Sequence, residues 1–166
     1  MKTISLVCVL AITGCSKQKT DFSEAKRTTE TLTAQGITFT VEIPEGLPKD
    51  KHDPLSWSDA REEYDHVPHV FLRINPGELP KTEEAAMREA ALRMEDANFV
   101  RKEKRPDGWA LTDASPDKRI VEASRWVQIG DKVVKCTAAQ VGDGELPSYD
   151  KTKAMLEAIC DSVKAK

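Results

Sequence analysis

The stretch RIVEASRWVQIGDKVVKCTAAQV, residues 119–141, is two runs of β-favouring residues that meet at Gly130-Asp131. A two-residue loop with glycine first suits a type II′ turn, whose twist matches that of a strand pair. Placing Ile129 opposite Lys132 then sets the register. Val127 pairs with Val134, Arg125 with Cys136 and Ala123 with Ala138, and these share one face with Val121. Ser124, Trp126 and Thr137 look the other way, with Trp126 opposite Lys135. Because side chains alternate, a slip of one residue would exchange the two faces entirely.

Two more short strands precede this hairpin. Residues 98–104 lead to the turn signal Pro106, Asp107, Gly108, and residues 109–113 lead to Ser115, Pro116, Asp117. Downstream, residues 150–163 carry Met155, Leu156, Ile159, Cys160 and Val163 at helical spacing. Cys160 therefore lies on the face that packs on the sheet, and Cys136 lies on the sheet face that carries Val127 and Val134. The two periodicities predict a disulfide between Cys136 and Cys160, the alternative being two buried thiols. Closing a loop of that length is worth roughly 3–4 kcal/mol in the chain-entropy model.

Upstream, residues 37–43 alternate strictly, with Ile37, Phe39, Val41 and Ile43 on one face, and Pro44 and Gly46 end the strand. Residues 49–66 show no sustained period and predict a long loop, with a short helix near 58–64 that Ser58 would cap. Val70, Leu72 and Ile74 mark a second strand over 67–74, ended by Asn75, Pro76 and Gly77. Residues 82–97 predict a helix, with Thr82 as N-cap, Glu83 and Glu84 at the positive end of its dipole, and Pro80 just upstream. Its stripe of Met87, Ala90, Ala91 and Met94 predicts core packing. The fold class that follows is α+β: an antiparallel sheet of about six strands with helices packed on it. The order is strand, strand, helix, four strands, helix, in one domain over 36–166.

The amino terminus has a different character. Met1, Lys2 and Thr3 precede an apolar run over 4–12, too short to span a bilayer as a helix, which takes about 20 residues. Ile12, Thr13, Gly14 and Cys15 follow, and this stretch resembles the lipobox of bacterial lipoproteins. The resemblance implies removal of a signal peptide over 1–14, a diacylglycerol on the Cys15 sulfur and an acyl chain (palmitate or similar) on its new amine. Ser16 after the cysteine implies sorting to the outer membrane. Each buried methylene contributes about 0.8 kcal/mol, so three chains would make attachment effectively permanent. Residues 15–35, polar and rich in Thr and Lys, predict a flexible tether of roughly 25 Å root-mean-square span.

Loss of residues 1–14 removes one lysine and no acid, taking the net charge from −3 to −4. Basic residues alternate with acidic ones instead of clustering, which argues against a nucleic-acid partner. Of four cysteines, Cys8 leaves with the signal and Cys15 is acylated, so Cys136 and Cys160 remain as a pair suited to an oxidising compartment.

The opening ITFTVEIPEGL (37–47), the element order and the closing helix ending ICDSVK (159–164) together resemble the Mog1p/PsbP-like superfamily. That resemblance covers 36–166. It implies an antiparallel sheet flanked by helices, mostly non-enzymatic members, and a binding or accessory role.

Candidates for chemistry are few. Ser-x-x-Lys occurs several times, including at Ser16, Ser115 and Ser148, but the companion Ser-Asp-Asn and Lys-Thr-Gly motifs of penicillin-binding enzymes are absent from the sequence, leaving these serines to turns and caps. His52, His66 and His69 fall near Asp53, Glu62, Glu63 and Asp65, a set whose imidazoles and carboxylates suit zinc or copper; the alternative is a solvated loop. Trp57, Trp109 and Trp126 are either a surface recognition patch or core, Trp126 depending on what covers its face. Arg125, on the inward face, needs a carboxylate partner or an edge position. The expected function is that of a membrane-anchored periplasmic or surface lipoprotein, a non-enzymatic protein-binding or accessory factor such as an immunity or inhibitor protein, with no cofactor. The alternative is a periplasmic metal or small-ligand binder.

Overall fold

In chain order the strands are β1 (Arg27–Ala34), β2 (Ile37–Pro44), β3 (Ser56–Trp57), β4 (His69–Pro76), β5 (Phe99–Arg105), β6 (Gly108–Ala114), β7 (Ile120–Ile129), β8 (Lys132–Val141) and β9 (Lys164–Ala165). Helix α1 (Glu83–Ala90) lies between β4 and β5, and α2 (Tyr149–Asp161) between β8 and β9. They come from a computed structural model that describes residues 21–58, 68–90, 98–142, 144–146 and 148–166. The lipobox with Cys15, the helix expected near 58–64, His66, and the second half of the helix expected over 82–97 lie outside the described residues.

The β7–β8 hairpin has the register that its turn dictates: Val127 opposite Val134, Arg125 opposite Cys136, Trp126 opposite Lys135. Gly130 takes φ +61° and Asp131 stays at negative φ, as a type II′ turn requires. Around this pair an antiparallel six-stranded sheet forms in the order β3-β4-β8-β7-β6-β5. Val70, Leu72 and Ile74 of β4 continue the face of Ala138, Cys136 and Val134, their partners in β8.

That face is covered by α2 and by a second sheet, β1-β2-β9. Phe39, Val41 and Ile43 of β2 meet Leu156, Ile159 and Val163 in one core. The strand expected over 37–43 thus exists but belongs to this smaller sheet. The sixth strand of the large sheet is β3, formed within the expected loop over 49–66, where Ser56 pairs with Phe71 and Trp57 with Val70.

The tether expected over 15–35 is corrected in its second half. Residues 27–34 are β1, paired with β2 along its whole length through the Gln35-Gly36 turn. Phe22 opens a single 3-10 turn and is 6% exposed in the core. The folded body therefore starts before residue 36. Hairpin pairing gives this threonine-rich segment an ordered partner, and one buried Leu32 per strand suffices where half the strand faces water. At the other terminus α2 stops at Asp161, and Lys164 and Ala165 add a short third strand to β2.

The opposite face of the large sheet carries a smaller core of Trp109, Leu111, Trp126 and Val133 beneath Ala86 and Ala90 of α1. Small alanines let the helix come close to the indoles. Thr82 caps α1 as its sequence predicts, accepting the Ala85 N–H at 3.2 Å.

Gly108 opens β6 at φ +146°, and a Cβ there would stand 1.9 Å from the Trp126 carbonyl oxygen. Gly108→Ala is expected to cost about 3 kcal/mol, because backbone cannot move aside, whereas Gly36→Ala, in open space at positive φ, costs about 1 kcal/mol. Urea unfolding midpoints of the two variants check the difference.

Candidate functional site

Cys136 and Cys160 form the disulfide, with Cα atoms 5.4 Å apart and both residues fully buried. Helical spacing turns Cys160 down and strand parity turns Cys136 up, so no distortion of either element is needed. The bond fixes α2 on β8 near its carboxyl end. There Ser162 accepts the Glu42 N–H at 2.7 Å and donates to the Ile159 carbonyl. Covalent and polar links thus join large sheet, helix and small sheet at one point.

Beside this junction lies the principal polar cluster. The α2 side of β5 carries Arg101, Glu103 and Arg105, next to Asp161 in the last turn of α2. Arg101 and Arg105 each donate to Asp161, at 2.9 and 3.0 Å, and each also pairs with Glu103. Hydrogen bonds from Arg105 and Arg101 hold the Glu103 carboxyl down at about 2. One layer further in, the Thr112 hydroxyl donates to Glu157 at 2.7 Å, and Lys153 pairs with the same carboxylate.

Arg125 is 3% exposed, and its oddity resolves here. It reaches beneath the β5–β6 turn to Asp107 and donates to the carbonyls of Trp109 and Trp126. Its Nε is buried without a hydrogen-bond partner. Gly108 makes the geometry possible, since a side chain there would also press on the guanidinium. Arg125 therefore ties the hairpin tip to β7, as a buried cation must be paired and bonded.

The three tryptophans are core, not a recognition patch. Trp57, Trp109 and Trp126 are 1%, 7% and 2% exposed. Their indole N–H groups donate to Glu30 (3.1 Å), the Pro80 carbonyl (2.8 Å) and Glu89 (3.1 Å). A lysine lies over each ring: Lys49, Lys104 and Lys135, between 4.8 and 5.7 Å from the centroids. Burial pushes the Lys135 amine below its ordinary value. Register assigns Trp126 to a face, but only the docking of α1 covers that face.

Of the metal candidates, His52, Asp53 and His69 are described, and Glu62, Glu63, Asp65 and His66 lie outside the described residues. His52 sits exposed in a turn that Asp50 organises by accepting the His52 and Asp53 N–H groups, while the Asp53 carboxylate accepts from Leu55. His69 opens β4, half-buried, and burial lowers its imidazole pKa. Among the described residues no three His, Cys, Asp or Glu side chains gather where they could hold a metal ion. Ser115 organises the β6–β7 turn by accepting from Arg119 and Ile120. Ser148 precedes α2 in a left-handed conformation without a side-chain cap bond, and Lys151 is paired with Glu24. No helix among the described residues is long and apolar enough to cross a membrane.

The ionic cluster went unseen in the sequence, although the alternation of charge in RKEKR (101–105) signalled one polar strand face.

Replacing both Cys136 and Cys160 by Ala is expected to cost roughly 3–4 kcal/mol in urea unfolding. Amide exchange should accelerate first in α2 and β9. Glu103 contributes stability that is fully present above its unfolded value near 4.5 and is lost as pH falls toward about 2. Glu103→Gln should therefore flatten the pH dependence of Tm over that window, measured by circular dichroism. No protein-family model and no curated protein matches the chain.

Proposed function

We propose that the chain is a lipoprotein of the bacterial cell envelope, anchored through Cys15. Its α+β domain acts as a non-enzymatic binding or accessory factor for a protein partner. The observation that carries this reading is the buried Cys136–Cys160 disulfide. Stable structural disulfides belong to oxidising compartments, which the lipobox independently implies. An outer-membrane position, facing the periplasm or the surface, follows from Ser16.

The binding role rests on how polar groups are used. Arg125 pairs with Asp107, Arg101 and Arg105 with Asp161, and Thr112 with Glu157, as in a domain whose interior serves stability. The Mog1p/PsbP-like resemblance of residues 36–166 points the same way. An immunity or inhibitor protein, small and acidic, is the sharper form of the proposal.

Two measurements test it. Cys15→Ser should abolish incorporation of labelled fatty acid and release the protein from the membrane fraction while Tm stays unchanged; full membrane retention would defeat the anchoring. Photocrosslinking of the full chain in its native envelope should recover a specific protein in stoichiometric yield. Recovery of none, together with measurable turnover or ligand binding, would defeat the accessory role.

A further inference from the structure

The two long open edges are treated in opposite ways. β5, at one end of the large sheet, carries five consecutive charged residues from Arg101 to Arg105 and a register irregularity between Phe99 and Arg101. Charge and bulge are the usual guards against a further strand. β1, at the end of the small sheet, has no bulge and only two charged residues, Arg27 and Glu30. It pairs with β2 without a break from Arg27 to Ala34, contains no proline or glycine, and has four threonines among eight residues. Among the described residues nothing pairs with its outer edge.

The hairpin geometry says which groups that edge presents. Gln35 and Gly36 both take positive φ, 49° and 81°, a two-residue type I′ turn. Residues flanking such a turn exchange both backbone bonds, so Ala34 and every second residue before it bond to β2. At the far end Glu45 donates to the Lys26 carbonyl at 2.7 Å, in the same parity. Thr29, Thr31 and Thr33 therefore turn their N–H and C=O groups outward. The same three side chains are exposed on the face away from the core.

This pattern has an internal dyad. Running β1 antiparallel to a second β1 about Thr31 places Thr31 opposite Thr31 and Thr29 opposite Thr33. The threonine pairs are then the hydrogen-bonding pairs, with Glu30 opposite Leu32 in the non-hydrogen-bonded positions between them, and threonine faces threonine, a favourable cross-strand pairing. A register shifted by one step would put Glu30 against Glu30. We propose that β1 is a homodimerisation edge, on which a second copy of this chain adds its own β1 about Thr31 to make a continuous six-stranded sheet from two small ones. The dyad stands normal to the sheet, so both copies keep Phe22 on the same side. Two chains anchored at one membrane can pair in this way, a compatibility that rests on Cys15, whereas the pairing itself does not.

The test uses the full-length chain with single cysteines placed on the exposed threonines. Thr31→Cys should give, under mild oxidation in the native envelope, a covalent species of twice the monomer mass, because hydrogen-bonded partners stand about 5.5 Å apart at Cα. Thr29→Cys alone should not, its copies lying about 14 Å apart, but coexpressed Thr29→Cys and Thr33→Cys chains should crosslink to each other. Thr31→Pro, which removes the central donor, should shift sedimentation from two chains to one with an unchanged circular dichroism spectrum. Equal crosslinking at all three single sites, or single-chain sedimentation of the parent without crosslinking, overturns the proposal. Capture of a different protein by Thr31→Cys also overturns it, in favour of a foreign strand on this edge.

Discussion

The two residues Gly130 and Asp131 leave β7 and β8 no register to choose, and the rest of the molecule inherits that constraint. Parity puts Cys136 on the face that α2 covers, Trp126 on the opposite face and Arg125 beside the β5–β6 tip. Were the pairing to slip by one residue, the disulfide would lose its partner and an arginine would trade places with a tryptophan. The hydrophobic effect supplies the driving force for both cores, but it is non-directional. What makes the outcome unique is that each face of this hairpin has one large, chemically specific requirement that only one register meets.

The second control lies in how polar atoms are satisfied inside an apolar body. Each tryptophan carries one N–H that must find an acceptor when buried, and each acceptor comes from another element: Glu30 of β1, the Pro80 carbonyl before α1, Glu89 of α1. The indoles therefore select which helix or strand lies over them, in addition to filling space. Arg125 does the same for the hairpin tip. Its unpartnered Nε shows the limit of that solution, since no geometry beneath a two-residue turn offers five acceptors.

The parts that were legible in the sequence share one property: their signal is local. The β7–β8 register, the N-cap of α1, the apolar stripe of α2 and hence the disulfide all follow from periodicity over a few turns or a single loop. The parts that were missed depend on partners distant in the chain. β1 has little apolar content because its inner face needs only Leu32 and Ala34 against a core supplied by β2 and α2, so composition resembled a linker. The Gln35-Gly36 pair between two threonine-rich runs was the available hairpin signal. β3 and β9 are two residues each, below the length at which alternation means anything. The Arg101–Glu103–Arg105–Asp161 cluster joins positions some 60 residues apart, and no spacing rule connects them.

Phe22, buried beside α2, would set the mechanics of the lipid anchor proposed for Cys15. From Cys15 to Phe22 there are seven residues, which reach about 25 Å at most. With lipid on Cys15, the body would hang on a short leash instead of roaming. Its accessible volume would be a thin shell above the headgroups, and a soluble partner would meet it only by coming to that shell. A partner held in the same membrane would instead find it by two-dimensional search at a greatly raised effective concentration. Under that proposed anchoring, a short leash would favour neighbours that share the bilayer over ligands that diffuse through the compartment.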